Sequence, residues 1–231
     1  MRRETLAGPA PNAARSLLGA RLVRDDTTGR REGRIVEVEA YDGPSDLASH
    51  ARFGPTDRNR VMFGPPGIAY VYLVYGMYDC LNVVVGPDGG PSAVLIRSVE
   101  PLAGIERMRE DRLAVVRRRR AGRTDAGLAT ARARLAASAP HRLASGPGLV
   151  AAAFAIETAW TGADLCVAGA RLRLERDPED PADTAPDEAV IATPRIGVAY
   201  AADWASVPWR FALAGHRSVS GPAAARSAAT R

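Results

Sequence analysis

Two carboxylates stand two residues apart in a stretch whose composition is typical of a β-strand. Glu37 and Glu39 alternate with small and β-branched residues and precede Tyr41, so the three side chains would share one face of a strand. A shielded carboxylate beside an aromatic ring can act as a general base, and both glutamates compete for this role. The alternative is a strand charge paired with an arginine. One strand cannot place two acids on both sides of a sugar ring, which excludes the carboxylate pair of a glycoside hydrolase.

A second stretch concentrates aromatic rings. Four of the six tyrosines fall between residues 69 and 85, in the sequence AYVYLVYGMYDCLNVVV. Its two β-branched runs predict a hairpin, and Gly76 gives the turn its backbone freedom. The tip would carry Tyr75, Met77 and Tyr78. These groups either fold back onto the core or form a wedge that enters between the stacked bases of a duplex, and the hairpin pattern alone leaves both open.

The elements that must position these groups follow in chain order. The first ones are a flexible arm (residues 1–12), a short helix (13–18) and a hairpin of two strands (21–24 and 31–41). In the second strand Val36, Val38 and Ala40 would share the core face. The long loop 42–67, rich in Gly, Pro and Asp, is typical of a functional segment.

The second half of the chain is richer in arginine. A strand over residues 92–99 carries Arg97 in an apolar run, and residues 102–123 hold eight arginines against three acids. This helical segment is either a solvated face or a patch that follows phosphates. We expect an Arg/Ala-rich insertion over about 112–139 and a disordered tail over 216–231, which leaves one domain over 13–215.

Composition excludes several classes of protein. No apolar run is long enough to span a membrane, and two cysteines are too few for a disulfide framework or a thiolate metal site. We therefore expect no metal, no cofactor and a reducing cytoplasmic compartment. The net charge of +5 suits an anionic partner. All 31 basic residues are arginine, so imine chemistry would have to use the N-terminal amine.

Several segments together resemble the methylpurine-DNA glycosylase (alkyladenine, or 3-methyladenine, DNA glycosylase) family. In order and spacing they cover about residues 13–213. The matching segments are Leu17-Leu18-Gly19, Glu37 to Pro44, Asp46 to His50, Arg58 to Phe63, Tyr70 to Asn82, Val94 to Pro101, Ser145 to Gly148 and Arg195 to Val198. The run Tyr-Val-Tyr-x-x-Tyr-Gly-Met-Tyr joined to the others makes the resemblance specific. One departure is Leu149, where the family commonly has lysine.

The resemblance implies a bacterial, nucleoid-associated DNA-repair enzyme, a monomer without lyase activity. It would extrude purines from double-stranded DNA, as glycosylases do, and hydrolyse the N-glycosidic bond of alkylated or deaminated ones. It also implies an α+β domain with a curved, mostly antiparallel sheet, peripheral helices and a protruding β-hairpin. The sequence does not specify the preferred lesion among 3-methyladenine, 7-methylguanine, hypoxanthine and etheno adducts.

Residue roles carry over by position. Glu39 would activate a water held also by Arg97 and the carbonyl of Ile196, and Tyr75 would fill the gap left in the duplex. The remaining implied roles are stacking on the flipped base (Tyr41, His50, Tyr72), exclusion of guanine (Asn82) and DNA contacts (Met77, Arg58, Arg60). A cationic alkylated purine stacks well between electron-rich rings and leaves easily, so one carboxylate and one water would suffice.

Two other function classes remain open at this point. A damaged-DNA binding module would need the stacking residues but no water-activating Glu39 or Arg97. A hydrolase of free nucleosides would need neither the exposed tip tyrosine nor the excess of basic residues, and its KM would not depend on salt.

The register of the hairpin gives a test that is independent of the resemblance. With a two-residue loop, Tyr72 would oppose Leu81 and Asn82 would point away from the pocket. With a three-residue loop at residues 76–78, Tyr72 would oppose Asn82, and both would face one pocket. We predict the second register, or a bulge with the same effect.

Overall fold

The computed structural model describes residues 1–119, 125–176 and 189–221. Eight strands form one sheet in which every pairing is antiparallel. The strands are β1 (Arg21–Asp26), β2 (Gly29–Asp42), β3 (Ala69–Val74), β4 (Tyr78–Val85), β5 (Ser92–Ala103), β6 (Leu172–Glu175), β7 (Val190–Thr193) and β8 (Arg210–Leu213). Their order is β3-β4-β5-β2-β1-β6, with β8 joined to β2 and β7. The predicted α+β class with a mostly antiparallel sheet is confirmed.

Within the described residues, four α-helices lie around this sheet. They are α1 (Ala10–Leu17), α2 (Ile105–Arg119), α3 (Asp125–Ala137) and α4 (Pro147–Ala153). Pro11 stands in the first turn of α1, where a missing N–H group costs nothing. The helix therefore begins three residues before the predicted one.

β2 is the strand on which the molecule is centred. β5 pairs along one of its edges, while β1 and then β8 share the other, so residues 37–39 have a strand on each side. Pairing at both edges satisfies the backbone groups of this segment, and the elements packed on the two faces of the sheet bury its side chains. The two candidate carboxylates, Glu37 and Glu39, are each 0% exposed.

Alternation along the strands separates two faces. Val71, Leu81 and Val94 pack with α1 and α4 in the main apolar cluster. The residues between them point to the opposite face, which the loop over residues 43–68 covers and where Tyr70, Val84 and Ala93 form a smaller cluster. Period-two alternation thus places the core on one side and the aromatic groups on the other.

A double irregularity interrupts the pairing of β2 with β5. The register shifts between Ile35 and Glu37 and again between Glu37 and Val38, which leaves Val36 and Arg97 outside the paired positions. Ile35 joins the main cluster and Val36 joins a separate one, so the prediction that Val36 shares a face with Val38 and Ala40 is wrong. A β-bulge re-aims a side chain in this way.

The segment predicted as an arginine-rich insertion begins inside a helix. Residue 112 lies in the middle of α2, where Met108 and Leu113 are buried and Asp111 bonds the buried Arg31 at 2.7 Å. The first part of the segment 112–139 is therefore built into the core. Residues 120–124 lie outside the described residues.

Residues near both ends of the chain, which were predicted to be mobile, are packed against the rest of the protein where the structure describes them. Leu6 is fully buried, and the amino group of Met1 donates to the carbonyl of Leu174 at 3.0 Å. The arm predicted over 1–12 is therefore packed. Ser218 and Val219 are also fully buried, so the tail predicted over 216–231 is ordered to residue 221, and residues 222–231 lie outside the described residues.

Candidate active site

Glu39 lies at the inner end of a cavity and is held by three donors. The hydroxyl of Tyr41 donates to its Oε2 at 2.9 Å, and the backbone N–H of Ile196 donates to its Oε1 at 2.7 Å. The Nη1 of Arg97 lies 3.2 Å from the same Oε1. Four predicted site residues, from three distant segments of the chain, therefore meet at one carboxylate. Ile196 contacts it through its N–H, whereas its carbonyl was the group predicted to hold a water.

Arg97 is the cation that joins the two glutamates. Its Nε donates to Glu37 at 2.9 Å while its Nη1 faces Glu39. Burial lowers the pKa of this guanidinium, but the charges of Glu39 and Glu37 outweigh it, so the net shift of the pKa is upward. Arg97 is therefore a permanent positive charge beside Glu39.

Glu37 lies on the same strand as Glu39 and contacts the same arginine, but donors from the protein surround both of its oxygens. Both of its oxygens accept hydrogen bonds, at 2.7–2.9 Å, from Arg97, Ser98, Arg210 and both donors of Ser220. Burial alone would raise the pKa of Glu37. The guanidiniums of Arg97 and Arg210 and the N–H of Ser220 together lower the pKa by more, so the net shift is downward. Glu37 does not line the cavity, which favours Glu39 in the competition between them.

The cavity has a volume of about 520 Å³ and is lined mainly by aromatic and apolar side chains. β2, β3, β4 and β5 form its floor, and the loops over residues 43–68 and 194–209 form its sides. The predicted site residues that line it are Glu39, Tyr41, His50, Arg58, Tyr72, Tyr75, Asn82, Arg97 and Ile196. Met77 and Arg60 do not line it. Met77 lies on the outer flank of the hairpin and Arg60 pairs with Asp57 at the surface.

His50 and Tyr72 form one aromatic wall of the cavity. Their ring centroids are 4.6 Å apart at an interplanar angle of 70°, and Nδ1 of His50 lies 2.9 Å from the hydroxyl of Tyr70. Burial and the charges of Arg58 and Arg52 lower the pKa of His50 to about 4. The imidazole is therefore neutral at pH 7 and does not repel a cationic ring.

Tyr41 belongs to a different strand from this wall. The guanidinium of Arg195 lies 4.8 Å from the centre of its ring, and its hydroxyl is fixed by Glu39. Burial and the neighbouring Glu39 raise its pKa well above the ordinary value. The phenol is thus a neutral donor to the carboxylate.

The observed register of the hairpin differs from the predicted register. Tyr72 and Asn82 nevertheless lie on the same face of the sheet, as predicted. Tyr72 opposes Cys80 and Asn82 opposes Tyr70, because the loop consists of residues 75–77 and not of residues 76–78. A shift of two residues preserves the side to which each residue points, so Tyr72 and Asn82 both line the cavity. The Nδ2 of Asn82 donates to the carbonyls of Tyr70 and Cys80 at 3.1 and 3.3 Å.

The tip of the hairpin projects from the molecule. Tyr75 is 86% exposed and lies at the mouth of the cavity, so the alternative in which it folds back onto the core is wrong. Its φ of 51° lies in the left-handed region, which is costly for a residue with a bulky side chain. A strained, exposed tyrosine beside an aromatic cavity marks a functional position.

Sequence reasoning missed the groups that hold this cavity together. The side chain of Arg195 is fully buried, pairs with Asp46 through both oxygens and donates to the carbonyls of Ala40 and Trp204 at 2.9 and 3.1 Å. It orients the neighbouring Ile196 and supports Tyr41. No spacing in the sequence could have shown a pair separated by 149 residues.

The thiol of Cys80 also lines the cavity and was not predicted to do so. Burial raises its pKa to about 12, so it is an uncharged part of the wall. Within the described ranges, no cluster of His, Cys, Asp or Glu has the arrangement of a metal site, and no helix is long and apolar enough to cross a membrane.

The site as a whole defines a class of protein. An aromatic cavity of this size accepts one flat ring, a buried carboxylate with a fixed cation lies at its floor, and an exposed tyrosine stands at its mouth. Such an arrangement suits an enzyme that acts on a nucleobase taken out of its stack.

Comparison with known proteins gives the family. The profile of the methylpurine-DNA glycosylase family matches residues 4–217, so the chain belongs to this family. It is 46% identical over 211 residues to a protein of Anaeromyxobacter dehalogenans (strain 2CP-C), covering 91% of this chain and 81% of the relative. It is 45% identical over 203 residues to a protein of Methanocella arvoryzae, covering 88% and 86%. Both relatives carry the name "Putative 3-methyladenine DNA glycosylase". Family membership makes the chain a DNA glycosylase, an enzyme of DNA repair whose substrate is DNA.

Proposed function

We propose that this protein releases alkylated and deaminated purines, among them 3-methyladenine, 7-methylguanine, hypoxanthine and ethenoadenine, from double-stranded DNA. The observation that carries the proposal is Glu39, a buried carboxylate that opens only onto a cavity of aromatic rings. The names of the two relatives support 3-methyladenine as a substrate.

In the proposed reaction Glu39 activates a water molecule. The water gives a proton to Glu39 and attacks the anomeric carbon, the N-glycosidic bond breaks, and the purine takes the bonding electrons. An alkylated cationic purine then leaves as a neutral base, whereas a neutral purine such as hypoxanthine first takes up a proton from solvent. Arg97 and Tyr41 keep the carboxylate oriented, and its charge stabilises the oxocarbenium-like sugar. A purine that is cationic or protonated leaves easily, so a single carboxylate is sufficient.

The aromatic groups are proposed to select the base. His50 and Tyr72 stack on one side of the extruded purine and Tyr41 on the other, while Asn82 crowds the exocyclic amine of guanine. Because its amide nitrogen is bound to the hairpin backbone, Asn82 cannot easily turn away. Undamaged guanine is therefore excluded because the fixed side chain of Asn82 crowds its exocyclic amine, and not because of electrostatic repulsion.

The surface around the cavity mouth is proposed to bind the duplex. Tyr75 occupies the gap left by the extruded nucleotide. Arg58 stacks over Tyr72 at 5.1 Å, and Arg119 of α2 lies 4.2 Å over the ring of Tyr78 beside the hairpin tip. We assign the last turn of α2 to phosphate contacts, which is one of the two alternatives left open by its sequence. Cavity and hairpin come from one chain, which is consistent with a monomer working on nucleoid DNA.

Hydrolysis without lyase activity is part of the proposal. The chain has no lysine, and the amino group of Met1 is bound to Leu174 and does not line the cavity. Borohydride should therefore trap no covalent complex with an abasic duplex. A trapped complex would show that an amine does reach the sugar.

The decisive experiment uses a duplex that contains one hypoxanthine. Glu39→Gln keeps the shape of the side chain but removes its basicity, so base release should fall by at least about 100-fold while the affinity for the duplex stays within about twofold. Glu106→Gln, an exposed change on α2, is the matched control and should behave as wild type. Equal release by wild type and Glu39→Gln would exclude Glu39 from the reaction and favour a binding module.

A further inference from the structure

The last described residues of the chain fold back onto the sheet beside the two glutamates. Val219 is fully buried in an apolar cluster with Val36, Ile191 and Ala212, and its N–H donates to the carbonyl of His216 at 3.1 Å. We call residues 218–220 the C-terminal clasp. The match to the family profile covers residues 4–217, so the clasp lies just outside the matched residues.

Every polar group of Ser220 forms a hydrogen bond with Glu37, Arg97 or Arg210. Its N–H donates to Oε2 of Glu37 at 2.7 Å and its hydroxyl donates to Oε1 at 2.9 Å. The hydroxyl also accepts from Nη2 of Arg97 at 3.4 Å, and the carbonyl accepts from Nη2 of Arg210 at 3.4 Å. Ser220 is 6% exposed, so these bonds do not compete with bulk water.

These contacts determine the orientation of Arg97. The guanidinium is a rigid planar fork, and two of its nitrogens are occupied by Glu37 and Ser220. Because the guanidinium is rigid, fixing these two nitrogens also fixes the third. Nη1 then points towards Glu39, and it lies 3.2 Å from Oε1 of that residue. The clasp does not touch the cavity, and its effect on Glu39 passes through Glu37 and Arg97.

We propose that the C-terminal clasp is a positioning element of the active site. Ser220 and Glu37 are positioning residues that hold the Arg97 guanidinium against Glu39 and so keep the carboxylate in its reactive orientation. The effect on catalysis rests on the proposed role of Glu39, whereas the effect on Arg97 itself does not.

Two truncations of the full chain test this proposal. Ending the chain after Arg217 removes the clasp, and ending it after Gly221 keeps the clasp as a matched control. We expect the shorter protein to bind a lesion-containing duplex with unchanged Kd and to release the base about 10- to 100-fold more slowly in a single turnover, while the longer one equals the full chain. Equal rates for both truncations would overturn the proposal. A parallel fall of rate, affinity and Tm would do the same, since it would show general loosening.

A point variant covers the case in which the shorter truncation does not fold. Ser220→Ala removes the hydroxyl but keeps the N–H bond to Glu37, so the single-turnover rate should fall by about tenfold with Kd and Tm preserved. Ser220→Thr restores a hydroxyl and should recover most of the rate. Alanine at wild-type rate, or threonine as slow as alanine, would contradict a role for the hydroxyl in orienting Arg97.

A measurement that needs no activity separates this inference from the proposed function. In the full chain the Nε–H of Arg97, which is buried and bonded to Glu37, should give a slowly exchanging NMR signal. The signal should persist in the protein that ends at Gly221 and vanish in the one that ends at Arg217. If the full chain released no base, the proposed function would be wrong, but the signal would still show whether the clasp holds Arg97. A signal that persists in the protein ending at Arg217 would refute the positioning role of the clasp.

Discussion

At the scale of single residues, two chemically identical carboxylates acquire different roles from their neighbours. Glu37 accepts five hydrogen bonds away from the cavity, whereas Glu39 faces the cavity and is held by Tyr41, Ile196 and Arg97. Under the proposed function, these environments make Glu37 the structural member of the pair and Glu39 the reactive one. The cation that both carboxylates contact is an arginine, which keeps its proton throughout the physiological pH range.

His50 supports a prediction about pH and stability. Its pKa in the folded protein is about 4, against an ordinary value of 6.5, so the unfolded chain takes up the proton first as the pH falls. The stability due to neutral His50 is complete above pH 6.5 and is lost as the pH falls from 6.5 towards 4.

Between pH 7.0 and 4.5, wild type should therefore lose about 1–3 kcal/mol more unfolding free energy than His50→Gln. Urea denaturation at the two pH values measures this difference, and comparison with the variant cancels the carboxylates that titrate in the same window. An equal loss in both proteins would show that His50 titrates normally.

At the scale of elements, the hairpin of β3 and β4 is braced on its outer side. The ring of Tyr78 lies against Gly148 at the start of α4, where an added Cβ would come within 2.7 Å of it. Arg119 lies over the same ring. Tyr78 is thus clamped between two helices, which fixes the direction in which Tyr75 projects. This explains the need for glycine at 148 in the Ser-Gly-Pro-Gly turn.

Tyr75 should show opposite effects on stability and on function. Its left-handed backbone costs about 1–2 kcal/mol, and Tyr75→Gly removes this cost while adding about 0.5–1 kcal/mol of chain entropy. The variant should be up to about 1.5 kcal/mol more stable than wild type in urea denaturation. Release of hypoxanthine from a duplex should nevertheless fall by at least about tenfold, because nothing fills the gap in the stack.

The effect of Tyr75→Gly should be much smaller on a single-stranded substrate, since no duplex has to be opened. Tyr75→Phe keeps the ring and should retain most of the activity. A Tyr75→Gly protein as active as wild type on duplex would remove the tip from the mechanism.

Elements were easier to predict than their exact pairing. Alternation and β-branched composition located β1 to β5. The predicted register differs from the observed one by an even number of residues, so it still placed Tyr72 and Asn82 on the same face of the sheet. The loop was predicted one residue too late along the chain, because a tyrosine at positive φ is not expected from propensity. The double irregularity at Val36 and Arg97 was also missed, since no local signal accompanies a bulge without glycine.

At the scale of the whole molecule, distant segments converge on β2. Arg195 and Asp46 join the two loops that border the cavity, and residues 218–220 reach Glu37 from the far end of the chain. Patterns within a window of sequence cannot show such contacts, which is why both termini were predicted to be mobile. The carried-over motifs identified the cavity residues but not the buried groups that support them.

The basic surface around the cavity mouth predicts a salt dependence. Removal of one arginine that binds a phosphate should reduce the slope of log Kd against log salt concentration by about 0.9. We expect this reduction for Arg119→Ala. Arg2→Ala, a change at an exposed arginine that does not line the cavity, is the control and should leave the slope unchanged. Binding titrations of a lesion duplex at several salt concentrations measure the slopes. An unchanged slope for Arg119→Ala would show that α2 does not contact the backbone.

Cys80 gives the cavity wall a particular chemical tolerance. Because burial raises its pKa to about 12, the sulfur is a protonated thiol at neutral pH. Alkylating agents react with thiolates much faster than with thiols, so this sulfur is a poor nucleophile towards them. We therefore expect the wall of the cavity to resist the same agents that would produce the proposed substrates.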